Sequence, residues 1–471
     1  MLQVPARIGG RPVSAAEWIE VRSPWDGAPV GRVPALTPAH VADACAAAAK
    51  VLERRDFPQH ARAEVLERAA ETLTERVEEF AVTIAREAGK PIVDARAEAA
   101  RAADTFRFSA VEARKLSGEL IPMDASRGGA GRLGFAVRHP AGVVAAITPF
   151  NFPLNLVAHK LGPAIAAGCP IVLKPAELTP ISAIRLVDLL VEAGLPGDWI
   201  SVVTGTGPET GTPLVEHPVP AVVSFTGSVP VGRRIQRIAA GKRVLLELGS
   251  NAPVIIEPGA DLRRAVAAIR RGGFAYAGQV CISTQRVLAH RSVYDEVLGL
   301  LRETVATLRL GDPLDERTEL GPMISAAAAD RVADWLAAAR AAGAEVTGGE
   351  RQGPILTPAV VADPARHLDV YRQEVFGPVV TVTPYGEIGE AISMANDSEA
   401  RLQAGVFTPD LAAALRAANE LRFGGVLIND VPTFRADQQP YGGVGDAGNT
   451  REGPAYAINE MTELRFVSVS A

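Results

Sequence analysis

Cys281 is the residue of this chain with the clearest potential for covalent chemistry. The thiolate of cysteine is a strong nucleophile, although an ordinary thiol is ionised only to a small extent at neutral pH. The neighbouring small residues Gly278 and Ser283 would let backbone dipoles approach the sulfur and favour the thiolate. The alternative is a buried structural thiol, which is the interpretation we give to Cys45 and Cys169.

A second reactive group is predicted at Glu247, which ends the apolar run Val244–Glu247. A carboxylate in such a run is costly unless it is paired, hydrogen-bonded or used chemically. Burial would also raise its pKa towards neutrality, which suits a group that accepts protons. The alternative is a salt-bridged glutamate at the end of a strand.

The elements that must position these residues form a first α/β alternation. Short β-branched runs are found at 143–147, 171–173, 200–203, 222–225 and 244–248. They alternate with predicted helices near 153–168, 180–194, 208–216 and 228–240. This pattern predicts a mainly parallel, doubly wound sheet.

A second alternation and several outlying elements complete the predicted α/β fold. The second alternation has strands near 254–256, 286–290, 378–384 and 425–429 and helices at 261–276 and 292–308. Apolar periodicity predicts N-terminal helices at 38–53, 60–88 and 92–117. Residues 118–139 are predicted to form a projecting strand pair, and 463–470 a terminal strand.

Seven segments occur in the order of the signature blocks of the aldehyde dehydrogenase superfamily, which the chain resembles over nearly its whole length. They are TPFNFPLN (148–155), VLKPAE (172–177), FTGSVPVG (225–232), LELGSNAP (246–253), GQVCIST (278–284), EVFGPV (374–379) and PYGGVGDAGNTREG (440–453). The resemblance is strongest to the branches acting on lactaldehyde, succinate semialdehyde, phosphonoacetaldehyde and, without phosphorylation, glyceraldehyde 3-phosphate.

The resemblance implies an α/β fold with a Rossmann-like parallel-sheet cofactor domain, a second α/β catalytic domain and a small β oligomerisation arm. The expected NAD(P)-binding domain comprises 1–117 and 138–248, and the catalytic domain comprises 249–437. Residues 118–137 and 454–471 are expected to form the arm. Pairing of arms across subunits would give a homodimer or homotetramer.

The resemblance also implies the chemistry, which is oxidation of an aldehyde to the carboxylic acid with NAD(P) and water. Cys281 would attack the aldehyde and form first a thiohemiacetal and then a thioester. The side-chain amide of Asn151 would join the backbone N–H of Cys281 in an oxyanion hole, unless Asn151 is an N-cap for a helix beginning at Pro153. Glu247 would activate the hydrolytic water.

The expected cofactor site departs from the usual dinucleotide fingerprint, because Gly205, Gly207 and Gly211 match it only loosely. The resemblance implies instead that Gly227 and Ser228 bind the pyrophosphate at a strand-to-helix turn. The full expected set is Thr148, Pro149, Phe150, Lys174, Pro175, Glu177, Gly207, Gly211, Phe225, Thr226, Gly227, Ser228, Gly232, Leu248, Gly249, Glu374 and Phe376.

Two carboxylates in that set are expected to bind the cofactor riboses. Glu374 would hold the nicotinamide ribose, with Phe376 beside it, unless it is a surface loop charge. Glu177, with Lys174, would contact the adenosine ribose, where a carboxylate accepts from a 2′-hydroxyl and repels a 2′-phosphate. We therefore predict NAD over NADP, with NADP still possible because of Lys174.

Three basic residues are candidates for contact with the substrate. Arg107 is either a substrate ligand or a salt-bridged helical arginine, and His159 is either a ligand or a satisfied interior histidine. Arg435 lies in the loop before Pro440. Branches that bind phosphate or phosphonate often have arginine just before the nucleophile, where this chain has Val280, which favours a carboxylate or a neutral hydroxy-aldehyde as substrate.

Rival functions remain open at this stage. An acylating enzyme would pass the acyl group to coenzyme A, but such enzymes generally lack the base at the Glu247 position. A catalytically inactive family member could serve as a structural protein or a cofactor-binding regulator. Near the C-terminus, Gly445 and Ala447 depart from the family's usual lysine and serine.

The composition favours a cytoplasmic protein, and the resemblance implies that its partner is a small-molecule aldehyde. The 471 residues carry a net charge of −6, which offers no electrostatic footprint for nucleic acid. The start of the chain lacks the features of a secretory signal, and the longest apolar runs are too short for a membrane span. Three separated cysteines suggest neither a disulfide framework nor a metal site.

Overall fold

The computed structural model describes residues 1–239 and 241–470. Its helices are α1 (Pro38–Arg54), α2 (Gln59–Glu75), α3 (Val77–Ala88), α4 (Ile92–Lys115), α5 (Asn155–Ala167), α6 (Pro180–Glu192), α7 (Thr212–Glu216), α8 (Val229–Ile238), α9 (Leu262–Phe274), α10 (Tyr294–Ala306), α11 (Ala326–Ala341), α12 (Asp369–Arg372), α13 (Ile388–Asn396), α14 (Leu411–Glu420) and α15 (Pro454–Glu460). None of these helices combines the length and the apolar character needed to cross a membrane.

The strands are β1 (Ala6–Ile8), β2 (Arg11–Val13), β3 (Trp18–Arg22), β4 (Pro29–Pro34), β5 (Glu119–Ile121), β6 (Arg132–Pro140), β7 (Val143–Ile147), β8 (Ile171–Lys174), β9 (Ile200–Val202), β10 (Pro220–Thr226), β11 (Arg243–Glu247), β12 (Ala252–Ile256), β13 (Thr284–His290), β14 (Glu345–Thr347), β15 (Arg351–Gln352), β16 (Ile355–Leu356), β17 (Ala359–Ala362), β18 (Val379–Tyr385), β19 (Ala400–Arg401), β20 (Gln403–Phe407), β21 (Gly425–Ile428), β22 (Val444–Gly445) and β23 (Thr462–Ser470).

The first large sheet has the strand order β11-β10-β7-β8-β9-β1-β2. The five strands β7 to β11 pair in parallel, and each was predicted from its β-branched run. Strands β7 and β8 are buried along their whole length, which explains why they read as continuous apolar runs. The N-terminal strands β1 and β2, which the sequence pattern did not reveal, extend the sheet in antiparallel pairing.

The second large sheet has the order β14-β17-β18-β13-β12-β20-β21. Its strands β17, β18, β13, β12, β20 and β21 pair in parallel, whereas β14 is antiparallel. Two parallel α/β sheets agree with the predicted fold class. The sequence analysis missed the buried strands β17 and β20. Alanine stands at both ends of β17, and β20 includes a glutamine, an alanine and a glycine.

The predicted arm elements form a separate sheet with the order β23-β6-β5. Strand β6 pairs antiparallel with both neighbours, and its pairing with β23 runs from Pro140 to Arg132. The domain boundaries predicted from the sequence stay a prediction.

The predicted single helix over 60–88 is wrong, because it consists of α2 and α3. The break falls at Arg76, whose backbone leaves helical geometry with φ −107° and ψ 18°. Its guanidinium group pairs with Glu79 on α3 and with Glu192 on α6. No glycine or proline marks this break, so the apolar periodicity gave no sign of it.

A buried carboxylate on α4 fixes the start of α5, the helix that follows strand β7 of the first sheet. Glu98 accepts hydrogen bonds from the backbone N–H groups of Leu154 (2.9 Å) and Asn155 (3.1 Å). Its other oxygen pairs with the ammonium group of Lys90, and both side chains are almost fully buried. Glu98 thus satisfies two of the free N–H groups at the start of α5.

We expect Glu98→Ala to lower the free energy of unfolding by about 3–5 kcal/mol, because the charge of Lys90 is then left buried and unpaired. Chemical denaturation followed by circular dichroism measures this loss. The control is Glu78→Ala, which removes an exposed carboxylate that pairs with Arg96 and should change the midpoint little. Equal midpoints for the two variants would contradict the role of Glu98.

Candidate active site

A tight turn between α9 and β13 presents Cys281. The backbone of Tyr276 and Ala277 has positive φ, 48° and 53°, and Gly278 follows at 70°. A Cβ atom on Gly278 would lie 2.0 Å from the carbonyl oxygen of Gly377, so only glycine fits there. The close approach foreseen at Gly278 therefore exists, and it is made to another backbone segment.

Cys281 is partly exposed at the wall of a cavity of about 290 Å³. The lining residues are Lys90, Asp94, Ala97, Glu98, Arg101, Phe152, Asn155, Leu156, Ala275, Tyr276, Val280, Cys281, Ile282, Thr433, Arg435 and Tyr441. Cys45 and Cys169 are fully buried elsewhere, as predicted for structural thiols. Cys281 is thus the cysteine that a small molecule in this cavity can reach.

The thiol of Cys281 lies 3.0 Å from the hydroxyl oxygen of Tyr441. Burial raises the pKa of the thiol to about 12, and the hydrogen bond with Tyr441 and the charge of Arg435 oppose this rise. The carboxylates of Glu374 and Glu247 are close enough to raise it further. The thiol is therefore protonated at neutral pH in this state of the protein.

Glu247 ends β11 with a side chain that is buried and unpaired. The residue is 3% exposed, and neither carboxylate oxygen has a hydrogen-bond partner among the residues that the structure describes. Burial raises its pKa well above the usual range, and the nearby carboxylate of Glu452 adds to that rise. The salt-bridged strand-end alternative does not fit this geometry.

Asn151 lies in the loop between β7 and α5, on the approach to Cys281. Its side-chain amide donates to the carbonyl oxygen of Gln279 at 2.9 Å, two residues before the thiol. Its own side-chain oxygen is buried without a partner. Asn151 is not the N-cap of α5, because the cap position falls at Leu154.

A cluster of buried charges lies behind Cys281 and Tyr441. The guanidinium group of Arg435 lies 3.8 Å from the centre of the Tyr441 ring and 3.0 Å from the carboxylate of Glu452. Glu452 is also 3.5 Å from the ammonium group of Lys160. Despite its burial, these cations hold the pKa of Glu452 at about 2, so its carboxylate is charged.

A second pair of charges lies on the same wall of the cavity. Arg101 binds Asp437 at 2.8 Å, and its side chain keeps 29% of its surface exposed. Asp437 also contacts the imidazole of His159 at 3.0 Å. The pKa of Asp437 lies far below its usual range, because its contacts with His159 and Arg101 outweigh the effect of burial.

An elongated groove of about 330 Å³ lies at the carboxyl ends of the strands of the first sheet. Of the predicted cofactor residues, it is lined by Thr148, Pro149, Phe150, Lys174, Glu177, Gly207, Gly211, Phe225, Thr226 and Gly227. A Cβ atom on Gly207 or Gly211 would meet nothing within 4 Å, so these glycines leave room at the groove wall. Lys174 and Glu177 form an ion pair of 3.0 Å there.

The other predicted cofactor residues stand around this groove. Glu374 is partly buried and accepts a hydrogen bond from the backbone N–H of Ser250 at 2.9 Å, so it is not a freely exposed loop charge. Burial raises its pKa to about 7. Phe376 packs edge-on against Phe150. Pro175, Ser228, Gly232, Leu248 and Gly249 do not line the groove itself.

The three predicted substrate residues lie in different surroundings. Arg435 lines the cavity. Arg107 does not reach it, because its side chain is 48% exposed and pairs with Asp104 on the outer face of α4. His159 has no exposed surface and lies behind the wall, between Arg435 and Asp437. The substrate role expected for Arg107 is therefore wrong, and His159 can act only through its neighbours.

The sequence analysis missed Arg101 and Tyr441. Arg101 stands on the same helix as Arg107, at helical spacing from Asp94, Ala97 and Glu98, which also line the cavity. That i, i+3, i+4, i+7 pattern was available in the sequence. Tyr441 lies within a recognised block, but nothing in the sequence places its hydroxyl on the thiol.

The comparisons with known proteins agree with this geometry. A model of the Aldehyde dehydrogenase family matches residues 12–467. A 3-sulfolactaldehyde dehydrogenase of Priestia aryabhattai is 45% identical over 461 residues, which cover 98% of this chain and 96% of that protein. The chain belongs to the aldehyde dehydrogenase family.

Two solved structures of aldehyde dehydrogenases are similar over their whole length. Aldehyde dehydrogenase 21 from Physcomitrella patens, solved in complex with the reaction product succinate, has a TM-score of 0.96 and 38% identity, covering 100% of this chain and 98% of that one. The NADP-dependent glyceraldehyde-3-phosphate dehydrogenase from Bacillus halodurans C-125 has a TM-score of 0.97 and 34% identity, covering 100% of both chains. The predicted fold class, aldehyde oxidation and use of NAD(P) are confirmed.

A substitution at Gly249 tests whether Glu374 binds the cofactor in this aldehyde dehydrogenase, while the glutamate itself stays unchanged. A Cβ atom on Gly249 would lie 2.2 Å from a carboxylate oxygen of Glu374, so Gly249→Ala must displace that side chain. We expect the dissociation constant for NAD to rise about tenfold or more, as for the loss of a hydrogen bond to a charged group. Isothermal titration calorimetry measures it.

The control is Gly299→Ala on α10, where an added Cβ meets nothing within 4 Å. Its affinity for NAD should equal that of the wild type. In a Glu374→Gln background, Gly249→Ala should add little, because the charged acceptor is already gone. A full tenfold loss in that background would mean that Gly249 acts independently of Glu374.

Proposed function

We propose that this aldehyde dehydrogenase oxidises a short aldehyde that carries an anionic group, with Cys281 as nucleophile and Glu247 as general base. The observation that carries the proposal is the joint position of three features. They are a reachable thiol on a small cavity, a buried carboxylate that binds nothing, and two arginines, Arg101 and Arg435, on the cavity wall.

The residues around the groove fit a dinucleotide. The glycines Gly207 and Gly211 leave the groove open, Glu177 and Glu374 are carboxylates that can accept hydrogen bonds from ribose hydroxyls, and Phe150 offers an apolar wall. NAD(P), when bound, supplies the hydride acceptor for the oxidation. The predicted backbone contacts of Ser228, with Gly232 behind it, to the pyrophosphate remain part of this proposal.

The first half of the reaction uses Cys281 and Asn151. The partly exposed thiol of Cys281 first gives its proton to solvent water in the cavity. The thiolate sulfur then adds to the aldehyde carbon, and the oxygen becomes an oxyanion that the side-chain amide of Asn151 and the backbone N–H of Cys281 stabilise. One hydrogen of the Asn151 amide binds Gln279, which holds the group in place for this task. Loss of one such donor typically costs about 10²–10³ in rate.

The second half uses Glu247. Loss of hydride leaves a thioester on Cys281, which water must attack to release the acid. The carboxylate of Glu247 can take the proton of that water, and its raised pKa makes it a stronger base than an ordinary glutamate. A base at this position favours hydrolysis over transfer to coenzyme A.

Two arginines support an anionic substrate. Arg101 keeps part of its guanidinium exposed in the cavity, and Arg435 lies beside the thiol, above Tyr441. Guanidinium groups bind carboxylates and sulfonates through directed N–H donors. The relatives named for 3-sulfolactaldehyde and for succinate support the same class of substrate.

For the cofactor, we propose a preference for NAD over NADP. Glu177 stands at the end of the groove beside Lys174, and its carboxylate would repel a 2′-phosphate there. The ion pair with Lys174 weakens that repulsion, so NADP stays possible. The ratio of kcat/KM for NAD and NADP measures the preference.

A homodimer or homotetramer is also part of the proposal. The arm sheet exposes large apolar side chains on both faces, Leu464 and Phe466 on one and Leu120, Leu133 and Val469 on the other. Exposed apolar side chains of this size are typical of a protein–protein interface. The edge strand β21 of the second sheet likewise offers free backbone groups. Light scattering on wild type and Phe466→Glu tests this assembly, and a monomeric wild type would contradict it. A cytoplasmic location stays a prediction.

We expect Glu247→Gln to keep a rapid first turnover of NAD reduction and to slow the steady state by about 10²–10⁴-fold, since general-base catalysis contributes that much. Stopped-flow absorbance of reduced cofactor separates the two phases. In the wild type the steady-state rate should also fall as the pH drops through the raised pKa of Glu247, because the protonated carboxyl cannot accept a proton.

Two cysteine variants serve as controls in the same assay. Cys281→Ala should show neither phase while still binding NAD, and Cys45→Ala should keep both phases, because Cys45 is buried away from the cavity. An unchanged steady state in Glu247→Gln removes that residue from the mechanism. Turnover by Cys281→Ala refutes the nucleophile.

We expect Arg101→Met to lower kcat/KM for succinate semialdehyde by about 10–100-fold, the usual effect of losing a hydrogen bond to a charged group. For butanal, which has a methyl group in place of the carboxylate, kcat/KM should fall only slightly. The matched control is Arg107→Met on the same helix, which should leave both substrates unaffected. Equal losses on both aldehydes would show that Arg101 is structural, and a selective loss in Arg107→Met would restore that residue as the anion ligand.

A further inference from the structure

Tyr441 is a polar residue on the cavity wall that neither half of the proposed reaction uses. Its hydroxyl oxygen lies 3.0 Å from the sulfur of Cys281, well within hydrogen-bond range. The residue is 3% exposed, so water does not readily compete for this contact. A buried tyrosine hydroxyl almost always has a hydrogen-bond partner, and here that partner is the nucleophile.

Arg435 and Glu452 fix the ring of Tyr441 in place. The guanidinium group of Arg435 lies 3.8 Å from the ring centre, and its N–H donates to the carboxylate of Glu452 at 3.0 Å. The backbone N–H of Glu452 donates in turn to the carbonyl oxygen of Tyr441 at 2.6 Å. A cation over the face of a phenol also draws electron density from its ring, which makes the hydroxyl a better donor.

We propose that the hydroxyl of Tyr441 donates a hydrogen bond to the thiolate of Cys281 and so stabilises the sulfur both as nucleophile and as leaving group. The proposal rests on the assignment of Cys281 as the nucleophile. It adds a residue that contacts the reacting sulfur, whereas Asn151 stabilises the oxyanion of the substrate and Glu247 activates the hydrolytic water.

The acidities of the Tyr441 phenol and the Cys281 thiol determine which of the two donates this hydrogen bond. Burial raises the pKa of Tyr441 well above its usual range, so the phenol keeps its own proton throughout. The thiol must lose its proton to become a nucleophile, and the thiolate then has electron pairs and no hydrogen. Tyr441 is therefore the donor whenever the sulfur is charged.

Other charged groups also face the sulfur. Arg435 favours the thiolate, whereas Glu374 and Glu247 disfavour it, and burial disfavours it most. Among the influences that favour the thiolate, the hydrogen bond from Tyr441 is the largest. Its loss should therefore leave the sulfur a weaker acid.

The same contact matters twice in the reaction. When the sulfur attacks, its electron pair forms the bond to carbon, and the hydrogen bond from Tyr441 weakens. When the adduct of water and thioester collapses, the carbon–sulfur bond breaks, the pair returns to the sulfur, and the hydroxyl donates again. Tyr441 gives up no proton in either step.

Alkylation of Cys281 by iodoacetamide tests the proposal without any aldehyde. The rate is followed by mass spectrometry of the peptide that contains Cys281, from about pH 6 to about pH 10, where thiolates form. In Tyr441→Phe we expect the alkylation rate to fall about tenfold across this pH range, as a rise of about one unit in the pKa of the thiol would cause. Phenylalanine keeps the ring and its contact with Arg435, so the melting temperature should change little.

Tyr276→Phe is the matched control, because Tyr276 lines the same cavity but its hydroxyl donates to the carbonyl oxygen of Ala88 at 2.7 Å. Its alkylation profile should follow that of the wild type. A Tyr441→Phe profile that coincides with the wild type overturns the proposal, as does an equal shift in Tyr276→Phe.

Measurements of aldehyde turnover distinguish a failure of this proposal from a failure of the proposed function. With a good aldehyde, Tyr441→Phe should slow both the first turnover and the steady state, whereas Glu247→Gln slows only the latter. If no aldehyde is oxidised but the alkylation profile still shifts, the assigned function fails and the hydrogen bond stands. If aldehydes are oxidised and the profile does not shift, only the role of Tyr441 fails.

Discussion

The carboxylate of Glu247 is buried at the end of β11 and accepts no hydrogen bond from residues 1–239 or 241–470, and much of the surrounding structure compensates for it. An isolated buried charge costs several kcal/mol, so the group is tolerated only with cations nearby. Arg435, Lys160 and Arg451 are those cations. They come from the loop after β21, from α5 and from the segment after β22. The packing of that helix and that loop against the first sheet is thus tied to one unsatisfied side chain, which fits a group kept free for reaction.

The fold could be predicted where a strand is buried on both faces. Strands β7, β8, β10 and β11 each form a continuous apolar run between helical segments, and the parallel order follows from that alternation. The prediction failed where local signals were weak. The short outer strands β1 and β2 depend on pairing with β9, and β20 contains Gln403 and Gly405, whose burial only the finished sheet explains.

The candidate site shows the same division. The roles of Cys281, Glu247 and Asn151 were predicted from blocks of residue types, and they stay predictions that their surroundings support. The choice between Arg101 and Arg107 needed the phase of α4. They lie six residues apart, so their directions differ by about 120° around the helix axis at about 100° per residue. Glu98 and Asp94 mark the cavity side and Asp104 the outer side, but only the packed structure shows that the cavity lies on the first of these.

Arg435 joins parts of the site that are usually discussed separately. It lines the substrate cavity, its cation covers the ring of Tyr441, and its partner Glu452 is one of the groups that raise the pKa of Glu247. Replacing Arg435 would therefore disturb the anion site, the donor to the sulfur and the base at once, and the loss of activity could not be divided among them. Arg101 lines the cavity and binds Asp437, which is linked to Arg435 through His159. Replacing Arg101 therefore disturbs fewer parts of the site than replacing Arg435.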